Sequence, residues 1–283
     1  MKITFTKAQA LGNDFVIIFL KEQEMSNLSK VALADIARLV ANRRLGIGCD
    51  QVIFVDQPKD PTCAMFIRFF NADGSEAESC GNGSRTIGLW WMRQNVTKTV
   101  NFQSIGGFIT TNLIDDAIGL IEMILPTPIV DATIDLGEYQ NYSSPAPVMI
   151  VVGNPHVVLF VEDDESAELW GAVIEKLPVF SAGTNVSFAT QVCQNTIHLT
   201  VWERGVGLTP ACGTGAAGTA VAAVVRGLVD GSQPITVIQA GGTLSIEIKD
   251  DCLIQRGRAS IVFQGVIEFN EQLFMHLKHS IKP

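Results

Sequence analysis

Phe70-Asn71-Ala72-Asp73-Gly74-Ser75-Glu76-Ala77-Glu78-Ser79-Cys80-Gly81-Asn82-Gly83 and Trp202-Glu203-Arg204-Gly205-Val206-Gly207-Leu208-Thr209-Pro210-Ala211-Cys212-Gly213-Thr214-Gly215 share one plan. In each, a strand-like apolar run ends in a polar residue, Asn71 or Glu203, nine positions before a Cys-Gly-x-Gly that opens a helical pattern. The likeness continues outward in the same order. Gly12-Asn13-Asp14-Phe15-Val16 matches Gly153-Asn154-Pro155-His156-Val157, and the amide of Gln51 before Val52-Ile53-Phe54 matches that of Asn185 before Val186-Ser187-Phe188. From the first asparagine to the cysteine the separations are 67 and 58 residues. Three ordered matches exceed what composition produces. They predict two homologous domains of about 130–150 residues that bring both glycine-rich loops to one cleft.

The rest of the chain is consistent with such a plan. At 283 residues, 47% apolar and 17% charged, it is long enough and apolar enough for a buried core. Lys and Arg number 20 against 29 Asp and Glu, a net charge of −9 that argues against nucleic acid or an anionic membrane as partner. A small molecule is the default. Phe15 to Leu20 and the Ala/Val run from Ala216 to Val225 are too short to span a bilayer. Asp14 interrupts the N-terminal apolar run, so no signal peptide is expected. Lys2–Phe5, Ala64–Phe69, Leu120–Ile124, Ile197–Trp202, Thr243–Ile248 and Ser260–Phe263 read as strands in a sheet-dominated protein. Leu28, Val31, Ala32, Ile36, Leu39 and Val40 recur at helical spacing after the capping candidates Ser26 and Asn27, and two further helices are expected at about 82–94 and 214–228. Pro126, Pro128, Pro145 and Pro147 bracket a polar stretch and mark the junction, giving domains of residues 1–125 and 126–264.

Six cysteines, at 49, 63, 80, 193, 212 and 252, are scattered without C-x-x-C spacing, and the four histidines join them in no zinc pattern. No disulfide framework and no metal site are expected. His276 and His279 read as solvated, Cys63, Cys193 and Cys252 as small core residues, and Trp90 and Trp91 as core or interface.

Cys80 and Cys212 differ from the other cysteines in their surroundings. The first turn of a helix exposes unpaired N–H groups and carries partial positive charge, and glycine lets that backbone approach a ligand. Such a loop binds a carboxylate and favours a thiolate at once. Two loops of this kind suit chemistry that is itself symmetrical, in which one sulfur removes a proton from one face of a carbon and the other returns a proton to the opposite face. The pair then titrates as a coupled system, and a dry site strengthens the amide dipoles that stabilise the developing charge. Neither loop carries a lysine for a Schiff-base cofactor. Gly213-Thr214-Gly215-Ala216-Ala217-Gly218 matches G-x-G-x-x-G, but a dinucleotide loop follows its strand directly, whereas Gly205 to Cys212 intervene here. A reversible thiol redox module is a further alternative, and it leaves the surrounding polar residues without a role.

Leu11-Gly12-Asn13-Asp14-Phe15, Gly46-Ile47-Gly48-Cys49-Asp50-Gln51, the two cysteine segments and Gly153-Asn154-Pro155-His156 together resemble the diaminopimelate epimerase family over about residues 3 to 269. The resemblance implies an α/β (mixed α+β) fold of two similar domains. Each is a mixed, barrel-like sheet wrapped around a central helix, with the active site in the interdomain cleft and the segment 265–283 returning to the first domain. It implies cofactor-independent epimerisation of LL-diaminopimelate to meso-diaminopimelate, for lysine and peptidoglycan precursors, by a cytoplasmic homodimer. Carried over residue by residue, Cys80 and Cys212 are the acid–base pair, and Gly81, Asn82, Gly213 and Thr214 give main-chain donors to the reacting carboxylate. Glu203 holds the ammonium, Arg204, Asn71, Asn154 and Asn185 recognise the distal amino-acid end, and Asn13, Gln51 and His156 complete the wall. Cys49 stands where the family commonly has alanine, Thr86 where cysteine is frequent and Leu208 where glutamate is common; none removes an expected catalytic group. A related two-thiol racemase for another amino acid is the nearest alternative.

Overall fold

The computed structural model describes residues 2–21 and 30–268. The chain divides into two compact units, one of residues 1–121 and 258–283 and one of residues 122–257.

In the first unit, β1 (Lys2–Ala10) pairs antiparallel with β2 (Asn13–Phe19), and β2 runs parallel to β3 (Gln51–Asp56) across the crossover helix α1 (Lys30–Ala41). The antiparallel β4 (Phe66–Asn71) and the short β5 (Glu76–Ala77) lead into α2 (Gly81–Asn95), after which β6 (Thr99–Ser104) lies parallel to β4 and β7 (Gly107–Asp115) folds back on β6. Side chains alternate across a strand, so consecutive apolar residues must be buried on both faces. Phe15, Ile17, Ile53 and Phe69 pack on α2 residues Ile87, Leu89 and Met92, while Val16, Ile18, Val52, Phe54 and Phe70 pack on α1 residues Leu33, Ile36, Ala37 and Val40. Helix α2 is therefore a core element. Its glycines permit close packing: a Cβ on Gly83 would lie 2.7 Å from the Phe69 ring, and one on Gly88 would overlap the Thr111 hydroxyl.

The chain enters the second unit within β8 (Leu120–Pro126), continues through β9 (Ile129–Asp131) and a 3-10 turn at Gly137–Tyr142, and then repeats the first arrangement. β10 (Val148–Val152) and β11 (Asn154–Phe160) pair antiparallel, α3 (Ala167–Ile174) crosses over, and β12 (Asn185–Cys193) lies parallel to β11. β13 (Thr196–Glu203) and β14 (Gly207–Thr209) follow antiparallel, then α4 (Gly213–Val225), then β15 (Ile235–Gln239) parallel to β13. β16 (Gly242–Ile248) and β17 (Cys252–Arg258) complete the unit. Val157, Leu159, Val186 and Phe188 pack with Ala167 and Ile174 of α3, and α4 is buried from Gly215 to Ala223. Its small residues admit the sheet: Cβ atoms on Gly215 and Gly218 would lie 3.1 Å from Val201 and 3.3 Å from Ile150.

The first strand of each repeated arrangement is flanked by a strand from outside it. β18 (Ser260–Glu268) runs antiparallel to β1 from Lys2 to Gln9, with a register shift between Lys7 and Ala8, and β9 runs antiparallel to β10. The proline-bracketed stretch lies inside the second unit, where Leu136 joins the core beside α3.

Cys63 is buried as expected, but Cys193 is exposed and Cys252 is half-buried. Both lie at strand ends. Cys193 follows a break in the β12–β13 ladder next to Gln194 and Asn195, whose positive φ angles turn the hairpin away from the core. Trp90 packs on Phe19 with ring centroids 4.3 Å apart. Ser26, Asn27, Leu28, His276 and His279 lie outside the described residues. Among the described residues no helix is long and apolar enough to cross a membrane.

Candidate active site

Cys80 is the N-cap of α2, with extended backbone (φ −149°, ψ 111°), and its sulfur accepts the Gly83 N–H at 3.4 Å. One orphan donor of the helix terminus is thus spent on the sulfur. The sulfur also lies 4.0 Å from Asn13 Oδ1. That amide is oriented from behind, because Asn13 Nδ2 donates to Asp50 at 2.8 Å and Asp50 also accepts the Asp14 N–H at 3.0 Å. Arg43 bridges Asp14 and Asp50, each at 2.7 Å, and Lys7 reaches Asp14 at 2.6 Å. Despite burial, the hydrogen bonds and charges of Arg43 and Lys7 hold the Asp14 carboxyl well below the usual carboxylate range.

Gln51 and Asn71 face each other in the β3–β4 ladder, where Gln51 Nε2 donates to Asn71 Oδ1 at 2.7 Å and Asn71 Nδ2 donates to Ser75 at 2.9 Å. Gln51 Oε1 is buried with no hydrogen-bond partner. Such an acceptor costs about 1–3 kcal/mol unless a ligand donor meets it. Asn82, buried in the first turn, accepts from the Arg85 guanidinium.

In the second unit Cys212 is the extended N-cap of α4 (φ −120°, ψ 116°). Its N–H donates to Gln239 Oε1 at 2.8 Å, and its sulfur is 3.5 Å from the Thr214 hydroxyl. Thr214 in turn lies 3.0 Å from His156 Nε2. Burial drives the His156 pKa down to about 3, with help from the Arg204 charge, so the ring is neutral. Ser187 lies 3.4 Å from its other nitrogen. Gln255 donates to the Gly213 carbonyl at 2.8 Å and holds the turn from below.

Glu203 and Arg204 do not behave as a surface ion pair. Glu203 accepts from Thr209 at 2.5 Å and stands beside the Cys212 thiol, and burial raises its pKa. Burial first and the Glu203 carboxylate second push the Cys212 thiol far above its ordinary range, against the Thr214 hydroxyl and the Gly215 amide. Arg204 is anchored by its Nη1 to the Ala182 carbonyl at 3.0 Å. Asn185 joins these pieces, donating to the Pro155 carbonyl at 2.8 Å and accepting the Arg204 N–H at 2.9 Å. Asn154 begins β11, the strand that carries Pro155 and His156.

The two units thus hold equivalent sites in equivalent register. Gln51 opposes Asn71 in one ladder, and the Val186–Trp202 pairing sets Asn185 against Glu203 in the other. Phe15 and His156 occupy the same place, next to Gln51 and Asn185 in the parallel ladders. Of the supporting residues, Asp50 fell inside a quoted motif without a role of its own, and Arg85, Gln239 and Gln255 carried no motif. Asp50 and Arg85 signalled only by adjacency, one beside Gln51 and the other as a charge on the apolar face of a helix.

The family profile described as diaminopimelate epimerase matches residues 5–123 and 148–262. The chain is 38% identical to a diaminopimelate epimerase of Erythrobacter litoralis, covering 96% of this chain and 99% of that one. It is 32% identical to a diaminopimelate epimerase of Halothermothrix orenii, covering 96% and 100%. Among solved structures, a predicted epimerase of Pseudomonas aeruginosa matches with TM-score 0.74 at 15% identity, over 95% of this chain and 100% of that one. A hydroxyproline epimerase of Agrobacterium vitis, with trans-4-hydroxy-L-proline bound, matches with TM-score 0.64 at 12% identity over 94% and 92%. These last two show a shared fold.

Proposed function

The chain belongs to the diaminopimelate epimerase family, and on that premise we propose that it interconverts LL- and meso-diaminopimelate without a cofactor, with Cys80 and Cys212 as the two proton-transfer groups. One observation carries the reading: each unit places a cysteine as the extended N-cap of its buried helix, with the same polar ladder pair beside it. A mechanism that must work from both faces of one carbon needs such a duplicate.

The reaction requires one thiolate and one thiol on opposite faces of the α-carbon. In the direction that uses Cys212 as acid, the Cys80 thiolate takes the α-proton and the Cys212 thiol delivers its own to the other face. The roles reverse in the return direction. First-turn amides at Gly81, Asn82, Gly213 and Thr214 aim dipoles at the substrate carboxylate, where charge grows as the proton leaves. Glu203 receives the α-ammonium, and neutral His156 holds Thr214 without adding a competing charge. The unpartnered Gln51 Oε1 matches an ammonium donor, and Asn71 and Asn154 belong to the same distal group. Arg204, held through one nitrogen, offers its fork to a carboxylate. The reading includes a homodimer, which sedimentation of the purified protein tests, and a cytoplasmic location, which cell fractionation tests.

The experiment is a substrate panel in deuterium oxide without added cofactor, following label at the α-carbon and product stereochemistry. Rapid exchange is expected with LL- and meso-diaminopimelate and little with proline or hydroxyproline. The reverse ranking would replace the substrate with another amino acid.

A further inference from the structure

The two units buttress the residue that follows Cys-Gly by different means. In the second, Thr214 rests on neutral His156. In the first, the position equivalent to His156 is the apolar Phe15, and Asn82 rests instead on Arg85. Arg85 is fully buried, five residues beyond Cys80 on the same helix, and its guanidinium donates to the Asn82 side chain. The corresponding position in α4 is Ala217. A charge this deep is costly, and a helix on an apolar core has no packing reason to prefer it to leucine or methionine.

Building on the proposed two-thiol reaction, we infer that Arg85 is a positioning residue: it locks Asn82 in the first turn of α2, and its buried positive charge makes Cys80 the thiol that ionises first. Burial pulls the Arg85 pKa down to about 10, and attraction to Cys80 opposes that, so the group stays charged at neutral pH. The charges that act on the two sulfurs agree in sign, and the Arg204 cation at the end of β13 acts on His156. Near Cys80, the Asn13 amide comes from β2, backed by Asp50 and Asp14, and those carboxylates are already compensated by Arg43 and Lys7. Near Cys212, β13 supplies the Glu203 carboxylate, β11 the neutral His156, and β15 and β17 the uncharged Gln239 and Gln255. A cation favours thiolate on one side and an anion favours thiol on the other. The duplicated fold is thereby given one resting protonation state rather than two of equal weight.

The test needs no substrate, so it stands apart from the diaminopimelate assignment. Intact protein is pulsed with iodoacetamide from pH 5 to 10, and peptide mass spectrometry follows Cys80 and Cys212 separately. Midpoints are compared rather than rates, because Cys212 is the more buried of the two. In the unaltered protein the Cys80 midpoint is expected below that of Cys212; the opposite order overturns the inference. Arg85→Met is expected to move the Cys80 midpoint up by about one unit, slowing its alkylation at pH 7 about 10-fold, with Arg85→Lys recovering most of the shift. An unmoved midpoint in folded Arg85→Met also overturns it. If that variant does not fold, Arg85→Lys and the order of midpoints in the unaltered protein still decide the matter. Ordered midpoints in a protein inactive on diaminopimelate would leave this inference standing and remove the substrate.

Discussion

Replacing Gly83 by alanine probes how closely the candidate chemistry depends on packing beneath it. The added Cβ would lie 2.7 Å from Phe69 Cε1 and 3.2 Å from both Phe69 Cδ1 and Ile53 Cδ1. Carbon atoms in contact prefer about 3.5–4.0 Å, so the overlap approaches 1 Å. Phe69 and Ile53 are fully buried, and neither can move aside without disturbing the core. The start of α2 must yield. Overpacking of this kind costs about 1–3 kcal/mol, while exchanging glycine for alanine in a helix returns at most about 1 kcal/mol. A net loss of about 1–2 kcal/mol lowers the apparent Tm by roughly 2–6 °C for a chain of this size. The larger effect falls on activity. Gly83 donates its N–H to the Cys80 sulfur, and a displacement near 1 Å of a catalytic group costs about 100-fold. Thermal unfolding and α-carbon deuterium uptake measure the two effects. Gly218→Ala is the control: its nearest neighbour would be Ile150 at 3.3 Å, and a smaller loss of both is expected. A Gly83→Ala protein as active and as stable as the parent would refute the packing argument.

Other substitutions test separate links. Cys80→Ala and Cys212→Ala should each abolish net epimerisation with the circular dichroism spectrum retained, and full activity in either would sink the two-base reading. Glu203→Gln removes the carboxylate that helps hold the Cys212 thiol protonated, so the alkylation midpoint of Cys212 should fall; an unchanged midpoint would show that burial alone governs it. Asp50→Asn replaces the acceptor that orients Asn13 and caps the Asp14 N–H, at a cost of about 1–2 kcal/mol given the partial exposure of the cluster, measurable by urea unfolding. The folded pKa of His156, about 3 against an ordinary 6.5, means that the unfolded chain binds the extra proton first on acidification. Its contribution to stability is complete above about pH 6.5 and is lost progressively as pH falls towards 3. His156→Gln should flatten that part of the stability profile, and an unchanged acid slope would contradict a buried neutral ring.

Much of the candidate site was legible because local chemistry announces it. An extended N-cap followed by glycines needs only a few neighbouring residues, and so Cys80 and Cys212 could be placed at helix starts from spacing alone. The correspondence of Gln51 with Asn185, and of Asn71 with Glu203, was legible from their matched positions before and after strand patterns, whereas their pairing within one ladder emerged only from the fold. What stayed hidden was the material behind these groups. Gln239 and Gln255 reach the α4 turn from strands more than 25 residues away in sequence, and no local pattern marks a glutamine as a helix support. Cys193 departs from its expected burial for a related reason: apolar character predicts burial on average, but the turn residues beside it carry the hairpin outward.

Read alone, the amino-acid order established duplication, sheet dominance and the two thiol-bearing helix starts, since each follows from short-range periodicity, glycine placement and repetition. Tertiary structure decided which strands flank the repeated arrangements, for β9 and β18 pair with β10 and β1 through contacts set by long-range register rather than by composition. It also decided charge. Arg85, His156 and Glu203 are ordinary ionisable residues along the chain, and only burial among named partners makes one a retained cation, one a neutral ring and one a carboxylate that keeps its neighbouring thiol protonated. Desolvation is a property of the folded surroundings, so no reading of spacing alone supplies it.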